Sequence, residues 1–171
     1  MKTLKTILLS FALLAIFTQV KAQDAASTSP ISGVMTAYFG VKNALTADNN
    51  AAAKSKAKEL LEAVTSVQTV NLTAEQKTLW TGYADKLSFD SRHISESAVI
   101  DHQREHFASL SKNMIEVVKG LKLNTAVVYQ QYCPMKKSSW LSESAAIKNP
   151  YYGKQMLTCG KVTETLTPSA K

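Results

Sequence analysis

AVIDHQREHFASLSKNMIEVVKGL, residues 98–121, is the stretch whose periodicity decides the fold. Ile100, Phe107, Leu110, Met114, Val118 and Leu121 recur at helical spacing and form one apolar stripe. Charged and polar residues cluster away from that stripe, so the segment reads as an amphipathic helix with one side to bury. Gly120 and Lys122 mark its end. Such a helix needs partners, and the preceding sequence supplies three. From Ile31 to Leu45, Val34, Met35, Tyr38, Val41 and Leu45 share a face, with Pro30 placed for a first turn. Thr46 to Asn50 breaks that pattern. A second helix follows from about Ala51 to Val67, with Leu60, Leu61, Val64 and Val67 as its apolar edge. Thr73-Ala74-Glu75-Gln76 has the form of a capping box and opens a third helix carrying Leu79, Trp80, Tyr83 and Leu87. The pattern lapses between Ser88 and Ser97, which predicts a bend there. Short polar connections suit antiparallel neighbours. The expected fold is therefore mainly α, a four-helix up-and-down bundle over residues 30–122.

After Asn124 the composition changes. Ala126-Val127-Val128-Tyr129 is β-like, and the sequence beyond it is rich in aromatics, Pro, Cys and Met. Asn149-Pro150 and Gly153 signal turns. An irregular Cys/Met/aromatic cap over residues 125–162 is expected, closing a single domain of residues 30–162, with a frayed tail over 163–171.

The first 22 residues follow signal-peptide grammar. Lys2 and Lys5 precede an apolar run from Thr6 to Val20, and Val20-Lys21-Ala22 is a small-x-small cleavage site. The run is shorter than the roughly 20 residues a membrane span needs. Cleavage after Ala22 is expected, leaving a small polar lead-in over residues 23–29 and an exported chain.

Loss of Lys2, Lys5 and Lys21 takes the basic residues from 20 to 17, against 13 acidic, a net charge of +4. The excess lies in the C-terminal part. Residues 23–132 hold 11 basic and 11 acidic side chains, whereas beyond Tyr132 six lysines face only Glu143 and Glu164. No basic stripe follows a helix face, so nucleic acid is not an expected partner. The chain has no Gly-x-Ser-x-Gly elbow, no glycine-rich phosphate loop and no Cys-x-x-Cys. No enzymatic constellation emerges, and a non-enzymatic role is expected.

Two groups of residues carry other chemistry. The first is sulfur. Cys133 and Met135 flank Pro134, and Met156 and Cys159 sit just before Gly160. Thiolate and thioether are soft donors that select Cu(I). An oxidising compartment equally permits a Cys133–Cys159 disulfide, with Met135 and Met156 as core filler. The second group is imidazole. His102 and His106 are four residues apart and share a helix face. They lie roughly 125° and 85° from the centre of the apolar stripe, on a flank that a covering segment could meet. His102-Gln103-Arg104-Glu105-His106 lacks the glutamate that follows the first histidine in zincin proteases. His93, nine residues before His102, is a possible third ligand.

Tyr132-Cys133-Pro134-Met135, Trp140-Leu141-Ser142, Ile147-x-Asn149-Pro150-Tyr151-Tyr152-Gly153 and Met156-Leu157-Thr158-Cys159-Gly160 together resemble a periplasmic domain family of unknown formal function. Gln103-Arg104-Glu105-His106-Phe107 with Leu110-Ser111 resembles that family's long helix. The family occurs alone behind a signal peptide, and also fused to the C-terminal end of adaptor subunits of copper/silver-type heavy-metal efflux pumps. The resemblance implies copper handling in a Gram-negative periplasm, with an efflux adaptor or another periplasmic metal protein as partner. The matching positions are Cys133, Met135, Met156 and Cys159. The chain departs from the family pattern at Lys136-Lys137-Ser138-Ser139, where a longer loop is usual. The expected site is Cu(I) held by Cys133, Met135, Met156 and Cys159 beside His102 and His106. The alternative is a disulfide-stapled interaction domain of the cell envelope without metal.

Overall fold

The structure is a computed structural model that describes residues 29–168. The expected leader and nearly all of the lead-in lie outside the described residues. Four helices come first: α1 (Ser32–Thr46), α2 (Asn50–Thr65), α3 (Ala74–Glu96) and α4 (Ile100–Leu121). Strands β1 (Val128–Cys133), β2 (Ser138–Ser142) and β3 (Lys161–Leu166) follow, with one short 3-10 turn, Gly153–Met156, before β3. The protein is mainly α, as expected. No helix among the described residues is long and apolar enough to cross a membrane.

Local signals account for the helix ends. Asn49 accepts from Ala52 N at 2.9 Å and starts α2 after Asp48 turns the chain at φ 57°. Both bonds of the capping box form at α3: Gln76 N donates to Thr73 Oγ1 and Thr73 N to Gln76 Oε1. Gln76 Nε2 also donates to Leu121 O, tying the start of α3 to the end of α4. Each helix packs on the next in sequence, with α1 and α2, α2 and α3, and α3 and α4 in extensive contact. Ala53, Ala57, Leu60 and Val64, buried at helical spacing, give α2 a narrow face for close approach. The α4 stripe is buried from Phe107 to Leu121, with Ile100 partly covered at its start.

Three expectations need correction. First, α3 does not bend between Ser88 and Ser97; it is helical through Glu96. Leu87, Asp90, Ser91 and Ile94 continue its buried face, and Ser91 Oγ turns inward onto Leu87 O at 2.7 Å. Two buried polar residues in that face disguise its period. Second, the C-terminal segment is not irregular but a three-stranded antiparallel sheet in the order β2-β1-β3. Tyr129 to Cys133 pairs with Ser142 to Ser138 across a tight turn, which is why the short Lys136–Ser139 run suffices. Third, β3 runs to Leu166, past the expected start of the tail, because its backbone pairs with β1.

The sheet lies against α4 through β2, with Trp140 and Leu141 fully buried. Tyr38 of α1 joins the layers: its hydroxyl contacts Ser111 Oγ at 2.7 Å and accepts from Leu141 N at 3.1 Å. Both acidic residues of the basic C-terminal part meet helix lysines. Glu143 accepts from buried Lys42 at 2.7 Å, and Glu164 pairs with Lys119. Arg104 on α4 fastens three segments at once. Its Nη2 donates to Asp48 Oδ1 at 2.6 Å and Leu45 O at 3.2 Å, and its Nε to Pro150 O at 3.1 Å. Gly153, at φ 53°, closes over this ion pair; a Cβ there would fall 1.8 Å from Asp48 Oδ1.

Candidate metal centre

The continuation of α3 through Glu96 sets the site. It carries His93 on the last turn of one helix to a place opposite His102 and His106 on the first turns of the next. Buried Gln103 fixes that corner, its Nε2 donating to Ser97 O at 2.8 Å, to Asn50 O at 3.0 Å and to Ile94 O at 3.3 Å. Ring centroids of His93 and His106 stand 4.5 Å apart and nearly parallel, and those of His102 and His106 4.7 Å apart. One ligand atom from each of the three lies within 4.8 Å of the others. Nitrogens bound to a tetrahedral ion at 2.0–2.1 Å sit roughly 3.3–3.4 Å apart. Binding would therefore draw the rings together by roughly 1–1.5 Å, within reach of side-chain rotation at solvent-facing His102.

The imidazoles differ in how they are held. His106 Nδ1 meets Asp90 Oδ1 at 2.9 Å, and Asp90 is only 3% exposed. A carboxylate accepts and does not donate, so this contact assigns the proton to Nδ1 and leaves the Nε2 lone pair for a ligand. Phe89 packs on His93 at 4.3 Å and reaches His106 at 5.9 Å, an exposed aromatic wall beside the rings. His102 is the exposed member, its Nδ1 3.8 Å from Glu105. Neutral imidazoles suit zinc, copper, nickel and iron, and three of them leave coordination positions open.

Of the six residues expected to hold metal, the structure brings His102 and His106 together and adds His93. No other set of three or more His, Cys, Asp or Glu donors converges among the described residues, so neither cysteine joins the imidazoles. Cys133 and Cys159 lie instead at the same end of the β1–β3 ladder. Both are free thiols, Cys133 fully buried at the end of β1 and Cys159 half-buried before β3. Burial first, and then the adjoining Cys133, push the Cys159 thiol above its ordinary pKa. Met135, at the tip of the β1–β2 turn, is 61% exposed and Met156 is 41% exposed, so neither is core filler. The sequence signal for the third histidine is the spacing of Leu87 and Ile94. Seven residues apart on one face, they carry the helix past the apparent bend. Asp90 gave no such signal, since only the fold shows it buried beneath His106.

The fold and site define a small, mainly helical domain with an imidazole cluster at a helix–helix corner and a sheet docked on its last helix. A family model described as a protein of unknown function, DUF3347, matches residues 34–126, more than half of the chain. The protein belongs to that family. The match takes in His93, His102 and His106 and ends before β1. No curated protein and no solved structure matches the chain.

Proposed function

We propose that this protein is a periplasmic metal-binding module that holds a copper-class transition ion at His93, His102 and His106. The observation that carries the reading is the convergence of three imidazoles within 4.8 Å, one of them backed by a buried carboxylate. For a nitrogen-donor site, affinity among divalent first-row ions peaks at Cu(II), ahead of Zn(II). The choice of copper thus moves from the sulfur residues to the imidazoles and from Cu(I) toward Cu(II). The role is binding and delivery without catalysis, on helices taken to run up and down. The signal-like leader supports export, and the family resemblance supports a periplasmic location. That resemblance also supplies the partner, an efflux adaptor or another periplasmic metal protein.

Competition with a chromogenic chelator tests the site. Wild type should take one Cu(II) per chain, and His102→Ala and His93→Ala should each lose it. Both positions are solvent-facing or partly so, and the variants should keep the wild-type melting temperature without metal. Equal copper affinity in wild type and both variants would sink the reading.

A further inference from the structure

Apart from the imidazoles, the thiol pair is a second reactive feature, and it stands on its own geometry. The β1–β3 ladder pairs Tyr132 with Lys161, so Cys133 and Gly160 are the next residues at its end, with Cys159 one step beyond. Gly160 turns the chain at φ 151°, and a Cβ there would meet Tyr132 O and the Trp140 ring at 3.0 Å. The chain entering β3 through Gly160 therefore brings Cys159 beside the end of β1, where Cys133 sits. The backbone around each is held. Cys159 N donates to Met156 O at 3.0 Å, its carbonyl accepts from Asn149 Nδ2 at 2.7 Å, and Lys136 N donates to Cys133 Sγ at 3.4 Å. Cys133 is 0% exposed, whereas Cys159 reaches solvent.

We infer that Cys133 and Cys159 form a dithiol that closes into a disulfide by exchange with an oxidising protein disulfide, Cys159 entering first and Cys133 completing the bond. In the first step Cys159 gives its proton to water and attacks one sulfur of the oxidant's disulfide. A mixed disulfide forms and one oxidant thiolate leaves. In the second, Cys133 loses its proton and attacks Cys159 Sγ, and the other oxidant thiolate leaves. The chain loses two protons and two electrons, and the oxidant's disulfide becomes a dithiol. The order follows from access, because a bulky disulfide reaches Cys159 while only Cys159 reaches Cys133. The bond fastens the end of β1 to the segment entering β3, the strand with the most exposed residues.

Oxidised glutathione is the probe, with the full chain purified under reducing conditions. After treatment and unfolding, an alkylating reagent should label neither cysteine, and prior reduction should restore labelling of both. Reduction should lower the melting temperature by roughly 10 °C, given the length of the closed loop. In Cys133→Ser, Cys159 should stop at a stable glutathione adduct. In folded Cys159→Ser, Cys133 should stay unmodified. Two labelled cysteines in treated wild type would overturn the pairing. That readout needs no variant. A glutathione adduct on Cys133 in folded Cys159→Ser would overturn the order. Copper binding by the histidines should be unchanged in Cys133→Ser, so failure of either proposal leaves the other standing.

Discussion

The histidines at the α3–α4 corner and the cysteines at the β1–β3 edge are the two places where reactive side chains gather, and they are held in opposite ways. The imidazoles come from two helices joined by a short link, so their backbone is fixed locally. Their rings stand at the surface, His102 exposed and His93 and His106 partly covered, over one buried anchor, Asp90. The thiols come from segments brought together by strand pairing across 26 positions of sequence, and one of them is sealed inside. An ion can reach the first place without any opening of the fold. A reagent can reach the second only from the Cys159 side. Rigid backbone with exposed donors suits reversible binding, whereas an enclosed partner suits a single covalent closure.

Both places rest on one core, and the strongest way to break the comparison is to remove its shared support. Phe107 stacks on Tyr38 at 5.3 Å and touches Tyr151 of the C-terminal segment at 6.0 Å between ring centres. Phe107→Ala should lose about 3–5 kcal/mol, read as a single earlier unfolding transition in far-UV circular dichroism and tryptophan fluorescence. Two separate transitions would mean that helices and sheet do not share stability. Asp90→Asn sharpens the contrast at the helical corner. Copper affinity should fall roughly 10-fold, while thiol oxidation at the sheet is unchanged, measured by chelator competition and by alkylation. Thr73→Ala removes the cap of α3 and should cost about 1 kcal/mol in urea denaturation without altering either chemistry.

The smallest effect concerns the sheet's attachment. Burial pushes the Glu143 carboxyl up, but hydrogen bonds from Lys42 and Asn43 outweigh it and hold it below the ordinary glutamate range. A carboxyl lowered on folding adds stability above its unfolded pKa, about 4.3. That stability disappears as pH falls through the lower folded value. Glutamine retains an acceptor for Lys42, so Glu143→Gln should lose under about 1 kcal/mol at pH 7 for this half-exposed carboxylate. Melting temperatures of variant and wild type should converge below about pH 4. A gap that widens in acid would contradict the sign.

Where the chemistry is local, the chain declares it. The cap at Thr73, the Asn49 stop before α2 and the α4 stripe are readable because each depends on residues within a turn or two. The histidine pair was legible for the same reason, since positions 102 and 106 share a face of any helix. His93 was half legible: its type was plain, but Asp90 and Ser91 interrupted the apolar period and suggested a bend. The sheet was hidden more deeply. β1 to β3 depends on pairing across a long excursion, and the burial of β3 is too slight to leave alternation in the sequence. That the cysteines would not join the imidazoles was not legible, because residue type specifies donor softness and not where a strand will carry it.

Arg104 lies between His102 and His106 along α4, yet its guanidinium reaches the far side, to Asp48, Leu45 and Pro150. The same helical turn thus presents ligands outward and is bolted down behind. That bolt sets the rotation of α4 about its own axis, and with it the bite of the two imidazoles. A change at Asp48 or Gly153, with no part in coordination, would act as a torque on the ligand pair.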